Sequence, residues 1–144
     1  MERNIVAFQG EHGAYSEQAI RKLLGETPVT LPCRSFQEML DFVNEGEADY
    51  AILPVENSLA GTVIPAYDAL IESDLLVQAE VILRIEHFLM APKGRSIEEI
   101  KYVISHHQAL AQCSEHIKEK GFEPKEYYDT AGAARDLATS EVPF

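Results

Sequence analysis

Ile5-Val6-Ala7-Phe8-Gln9-Gly10-Glu11-His12-Gly13-Ala14-Tyr15-Ser16 sets the architecture of this chain. Four apolar residues in a row read as a buried strand. Two glycines then flank a short polar turn, where glycine lets the backbone reverse or approach a ligand closely. Ala19, Ile20, Leu23 and Leu24 follow at helical spacing, and Gly25 is a stop signal. A strand that turns directly into a helix is the first half of a βαβ unit. The rest of the chain repeats the pattern. Val29–Cys33 reads as a second strand, with Pro32 placing it at an edge or a strand end. Ser35-Phe36-Gln37-Glu38 has the form of a capping box and opens a helix through Met39, Leu40 and Val43, ending near Gly46. Asp49–Val55 is a third strand, and a short helix is predicted over Ala66–Ile71.

Leu75–Ala91 reads as one long extended stretch, with alternation at Val81, Leu83, Ile85 and then Phe88 or Leu89. A lobe boundary is placed there, giving lobes of about 1–76 and 77–144. Ser96-Ile97-Glu98-Glu99 is a second capping box. Tyr102–Ile104 is a strand, 108–120 a helix closed by Gly121, Phe122–Tyr128 a strand and Thr130–Ala138 a helix. This order predicts an α/β fold with largely parallel sheets and right-handed crossovers. In such sheets ligands bind beyond the carboxyl ends of the strands. That rule selects four turns, Gln9–Ser16, Glu56–Thr62, Ser105–Gln108 and Asp129–Ala131. Each leads into helix amides that suit a small anion.

Composition narrows the partners. The chain of 144 residues has 12 Lys and Arg against 24 Asp and Glu, a net charge of −12. Residues 1–75 hold 4 basic and 13 acidic residues; residues 76–144 hold 8 and 11. A nucleic-acid groove needs clustered cations, so nucleic acid is excluded as a partner. A polybasic membrane anchor is excluded too, and no apolar run approaches the ~20 residues that span a bilayer. Met1-Glu2-Arg3-Asn4 runs straight into the first strand, which predicts no secretory leader. Cys33 and Cys113 lie far apart with no Cys-x-x-Cys spacing, pointing to a reduced, cytoplasmic protein without a zinc site.

Each turn has a plain reading beside a functional one. The Gln9–Ser16 segment is neither a P-loop nor a G-x-G-x-x-G fingerprint. It is a strand–helix turn or a close ligand approach, and Ser16 a helix cap or a ligand contact. In Pro54-Val55-Glu56-Asn57-Ser58-Leu59-Ala60-Gly61-Thr62-Val63, three polar side chains follow a buried strand. Glu56 is a solvated charge or a site carboxylate. Asn57 either caps a turn or gives its amide to a substrate oxygen. Ser105-His106-His107-Gln108 invites a metal, but adjacent histidines diverge. The shared helix face belongs to Gln108 and Gln112, with Ser105 at the N-terminal end. In Asp129-Thr130-Ala131-Gly132-Ala133-Ala134 small residues permit close packing, and Thr130 offers a hydroxyl and an amide. No nucleophile elbow is present.

Together these segments resemble the catalytic domain of the prephenate dehydratase family, arogenate dehydratases included. The resemblance rests on Phe8-Gln9-Gly10 to Ser16-Glu17-Gln18-Ala19, on Pro54 to Ser58 with Gly61-Thr62-Val63, and on Ile85-Glu86-His87-Phe88-Leu89. It continues through Ser105-His106 with Gln108 to Cys113, and Asp129 to Ala134. It implies a two-lobed fold like the periplasmic binding proteins, with an interlobe cleft. The implied activity is that of a carbon–oxygen lyase of phenylalanine biosynthesis, converting prephenate to phenylpyruvate without metal or organic cofactor. By position, Asn57, Ser105 and Gln112 match polar catalytic residues. Glu56, Ser58, Gly61, Thr62, His106, Gln108, Thr130 and Ala131 match substrate-binding motifs. His107 stands where the family has proline. A homodimer or higher homo-oligomer is implied as well. Arogenate as substrate and a non-catalytic anion-binding module are the alternatives.

The family's Thr-Arg-Phe motif, with its catalytic hydroxyl and anchoring arginine, has no counterpart in these residues. The expectation is therefore a chain that lacks the C-terminal return segment and the phenylalanine-sensing ACT domain: a fragment, a naturally shortened form, or a chain whose missing parts come from elsewhere, with impaired activity on its own.

Overall fold

The computed structural model describes residues 4–139. These fall into two units, the first running to Arg84 and the second beginning at Ile85. Among the described residues no helix is long and apolar enough to cross a membrane.

The first unit is built on β1 (Ile5–Gln9), α1 (Tyr15–Leu24), β2 (Val29–Cys33), α2 (Phe36–Asn44) and β3 (Tyr50–Ile52). The strands form a parallel sheet in the order β2-β1-β3. β1 is central, and its alternation explains why an unbroken apolar run was needed there. Ala7 joins Cys33, Met39 and Leu40 in one cluster, with Ile5 packed against it. Val6 and Phe8 join Ile20 in another. Successive side chains of a strand point to opposite faces, so odd residues meet α2 and even residues meet α1. β2 is an edge strand of this sheet, where the missing N–H of Pro32 breaks no central ladder. Of the apolar face predicted for α1, Ala19 and Ile20 are buried, whereas Leu23 and Leu24 are exposed.

Ser35 caps α2 by accepting from the Glu38 amide at 3.1 Å. The return bond differs from the predicted box: Glu38 accepts from the amide of Arg34, one residue earlier. Ser35→Ala is expected to cost about 1 kcal/mol in a urea titration.

β3 is shorter than predicted. After Ile52 the chain leaves the sheet and forms a small antiparallel hairpin, β4 (Glu56–Asn57) and β5 (Gly61–Thr62), where a loop was expected. Helix α3 (Ile64–Ile71) follows, with proline in its first turn, and packs Ala69 into the α2 cluster.

The stretch from Leu75 to Ala91 forms no ladder among the described residues. Its alternation is nevertheless real through residue 87: residues 81, 83, 85 and 87 are half-buried while 82, 84, 86 and 88 are exposed, so the inward position falls on His87 and not on Phe88 or Leu89, both exposed. Side-chain period reports burial, whereas a strand also needs a partner backbone. Leu75 packs against the first unit's core, and the Ile82 carbonyl accepts from Lys22 Nζ at 2.8 Å.

The second unit pairs β6 (Tyr102–Ser105) with β7 (Glu123–Glu126) in parallel. The Ser96 capping box forms, but it starts only a 3₁₀ turn over Ile97–Glu99. The single helix predicted over 108–120 is two, α4 (His107–Gln112) and α5 (Ser114–Lys120). Cys113 separates them with φ −103° and ψ 6°, outside the helical well, while its amide still reaches the carbonyls of Ala109 and Leu110. α6 (Thr130–Ala138) closes the described chain. Its buried carboxylate, Asp136, accepts from the Tyr127 hydroxyl and from Arg135 Nε, both at 2.8 Å.

Candidate functional site

In the first unit the strand order reverses at β1: β2 is added on one side and β3 on the other. Such a switch point opens a crevice beyond the carboxyl ends of β1 and β3. The turn after β1 is held by one carboxylate. Glu17 accepts from the Gly13 amide at 2.7 Å and the Thr30 hydroxyl at 2.6 Å, with His12 Nδ1 at 3.2 Å and Arg21 Nη2 at 3.4 Å. Burial raises the pKa of this carboxyl, but the Gly13, Thr30 and His12 contacts outweigh it and bring it down to about 2. α1 has Ala14 as its N-cap residue, without a side-chain cap. Ser16 is therefore not the cap; Glu17 satisfies the turn amide instead.

The hairpin after β3 carries Glu56, Asn57, Ser58, Gly61 and Thr62 on seven consecutive residues. Asn57 Oδ1 accepts from the amides of Leu59 (2.9 Å) and Ala60 (3.1 Å). Its carbonyl is thus spent on the turn, and its Nδ2 group is the part that can donate outward. Gly61 sits at φ +81°, a conformation that other residues adopt only with strain.

In the second unit, Ser105 ends β6 and Thr130 begins α6. The Ser105 hydroxyl donates to the Thr130 hydroxyl at 3.1 Å, so the parallel β6–β7 pair brings together two polar residues 25 apart in sequence. Thr130 then has its own O–H to give. The α6 amide at Gly132 is already taken by Asp129 Oδ1 at 2.7 Å, so this helix end does not offer that amide to an anion. His106 caps α4 by accepting from the Gln108 amide through Nδ1 at 3.4 Å. Burial and then the neighbouring His107 lower its pKa; Asp129 and Glu126 partly oppose them. The neutral ring carries its proton on Nε2, as the Nδ1 contact requires. Gln108 is exposed on α4 and Ala131 half-buried on α6. Gln112, one turn beyond Gln108, is half-buried, and its Oε1 lies 2.7 Å from His87 Nε2.

The chosen residues thus lie on the hairpin of the first unit and, in the second, at the end of β6 and on α4 and α6, where Ser105 and Thr130 meet. Among the described residues no three His, Cys, Asp or Glu side chains converge on a metal position. Two contributors escaped a functional reading from the sequence. Glu17 and His87 lay within quoted segments, but no spacing rule links Glu17 to Thr30 or His87 to Gln112.

A family model described as prephenate dehydratase matches residues 6–143. Arogenate dehydratase 2 of Petunia hybrida is 41% identical over 137 residues, covering 95% of this chain and 34% of the relative. A bifunctional N-acyl-homoserine lactone acylase/prephenate dehydratase of Komagataeibacter europaeus is 40% identical over 131 residues, 90% of this chain and 46% of the relative. Among solved structures, the prephenate dehydratase of Arthrobacter aurescens in complex with L-Phe superposes with a TM-score of 0.85 at 30% identity, over 92% of this chain and 45% of that one. The chain spans a third to a half of the length of these relatives.

Proposed function

This chain belongs to the prephenate dehydratase family, and from that premise we propose that it supplies substrate-binding and catalytic side chains for the decarboxylating dehydration of prephenate to phenylpyruvate. The observation that carries this reading is the neutral donor set of the second unit: the Ser105–Thr130 hydroxyl pair and the Gln112 amide.

Prephenate is a dianion. As the ring carboxylate departs as CO₂, the electron pair of its C–C bond enters the ring, and the ring hydroxyl leaves with a proton as water. Aromatisation drives both bond cleavages, and no base is consumed. A carboxylate that must leave is poorly served by a salt bridge, which stabilises the ground state. Hydroxyl and amide donors orient it without that cost, and they stabilise the pyruvyl carboxylate as well. In this reading Ser105, Thr130 and Gln112 donate to substrate oxygens, Asn57 donates through Nδ2, and Glu56, Ser58, Gly61, Thr62, His106, Gln108 and Ala131 shape the surroundings. Phenylalanine biosynthesis, a cytoplasmic location and homo-oligomerisation belong to the same proposal. Arogenate is the alternative substrate.

The general acid is expected from a Thr-Arg-Phe motif, which this sequence does not contain. The 144-residue chain by itself is therefore predicted to bind prephenate while forming phenylpyruvate far more slowly than a full-length relative. Calorimetry and a phenylpyruvate assay read the two quantities separately. In calorimetry, Asn57→Ala and Gln112→Ala are each expected to weaken prephenate binding by about tenfold, the scale of one lost hydrogen bond to a charged group. Unchanged binding in both variants overturns the assignment of these residues. Rapid turnover by the unaltered chain shows that its own residues include the acid.

A further inference from the structure

We infer that His87 is a positioning residue that turns Gln112 into a pure hydrogen-bond donor toward the substrate. The inference rests on the functional reading above, which places Gln112 at a substrate oxygen. His87 lies on the extended stretch and Gln112 at the end of α4, 25 residues later, and their contact of 2.7 Å is partly buried.

The chemistry of the two groups makes the contact directional. An amide oxygen only accepts, so the imidazole Nε2 must hold a proton and donate to Oε1. A primary amide is planar, and its oxygen and nitrogen point apart. With Oε1 held by His87, what Gln112 presents on its other side is its Nε2 group, with two N–H donors. The opposite orientation would turn a carbonyl oxygen toward a dianionic substrate, where it would repel. An unassisted glutamine samples both orientations, because they differ only by rotation about the last side-chain bond. With the proton on Nε2, the imidazole can be met only by the amide oxygen, and that tautomer removes the wrong orientation before substrate arrives.

The neighbourhood supports this role. Residues 81, 83, 85 and 87 are the half-buried members of the alternating stretch, so His87 faces inward while Glu86 and Phe88 face solvent. Gln112 is the last residue of α4, beside the irregular Cys113, where a long side chain is least constrained by the helix. His87 thus supplies an orientation that the helix end does not.

The experiment has two parts on the full 144-residue chain. Long-range ¹H–¹⁵N spectra report the protonation of each imidazole nitrogen. His87 Nε2 is expected to be protonated at neutral pH, and an unprotonated Nε2 overturns the inference whatever the ligand does. Calorimetric titration with prephenate then compares His87→Gln, which keeps a donor near the Nε2 position, with His87→Phe, which keeps an inward-facing ring without one. His87→Phe is expected to weaken binding about tenfold and His87→Gln by no more than about twofold. Equal weakening by both variants means a packing role and overturns the inference. If Gln112→Ala weakens binding while His87→Phe does not, the positioning role fails and the functional reading stands. If the unaltered chain does not bind prephenate, or Gln112→Ala binds as tightly as it does, the functional reading fails and the positioning role fails with it.

Discussion

Phe8→Ala is expected to destabilise the first unit by about 3–5 kcal/mol, the usual cost of emptying a fully buried phenylalanine site. Phe8 is fully buried in the central strand, packed with Val6 and Ile20 and against Ala14 and Ile52. A parallel three-stranded sheet has little room to collapse around such a void, because β1 is hydrogen-bonded on both sides. The loss is a large fraction of the roughly 5–15 kcal/mol that holds an ordinary domain together. The effect also reaches the β1–α1 turn, since the Phe8 ring lies 6.0 Å from the His12 ring, and His12 contacts Glu17. Urea unfolding combined with hydrogen exchange of the β1 amides measures both consequences. Phe8→Leu, which keeps most of the volume, is expected to cost much less. Equal costs for leucine and alanine would mean that the site is not packed as described.

Glu17→Gln is expected to cost roughly 2 kcal/mol at neutral pH, and its pH dependence identifies the cause. The carboxyl has a folded-state pKa of about 2 against an ordinary value of 4.5. At about 1.4 kcal/mol per pKa unit the difference sets an upper bound of about 3.5 kcal/mol. The partial exposure of His12 and Arg21 lets solvent screen part of it. The sign follows from proton uptake. Between pH 4.5 and 2 the unfolded chain binds the proton and the folded chain does not, so acid favours unfolding. Stability from Glu17 is complete above the ordinary carboxyl range and is lost as pH falls toward 2. The gap between the unaltered chain and Glu17→Gln should therefore be constant above about pH 5 and close progressively in acid. A gap that persists unchanged to pH 2 would assign the effect to shape rather than charge.

Both predictions concern the β1–α1 turn, and their legibility differs. Phe8 could be read from four consecutive apolar residues before a glycine turn, because a central parallel strand is covered on both faces and needs no polar position. Glu17 could not. Its hydrogen-bond partners are a turn amide four residues back and a hydroxyl on the neighbouring strand, and only the β1–β2 register brings Thr30 to it. Asn57 shows the same division. Its residue type and place allowed a turn cap or a donor; the hairpin assigns its oxygen to the cap and leaves the nitrogen for donation.

By itself the sequence determined the α/β class, most of the order of elements, the parallel pairing, a buried first strand, and the family. These follow from periodicity, turn chemistry and motif order, all of which are local in the chain. The tertiary structure alone decided where the long extended stretch fails to become a strand, where the 108–120 helix breaks, and which polar groups meet: Glu17 with Thr30, Ser105 with Thr130, His87 with Gln112. The physical reason is that a hydrogen bond depends on distance and direction to within a few tenths of an ångström, and a backbone ladder on a neighbouring strand. Residues 13 to 25 apart acquire such neighbours only when strand order and register are set.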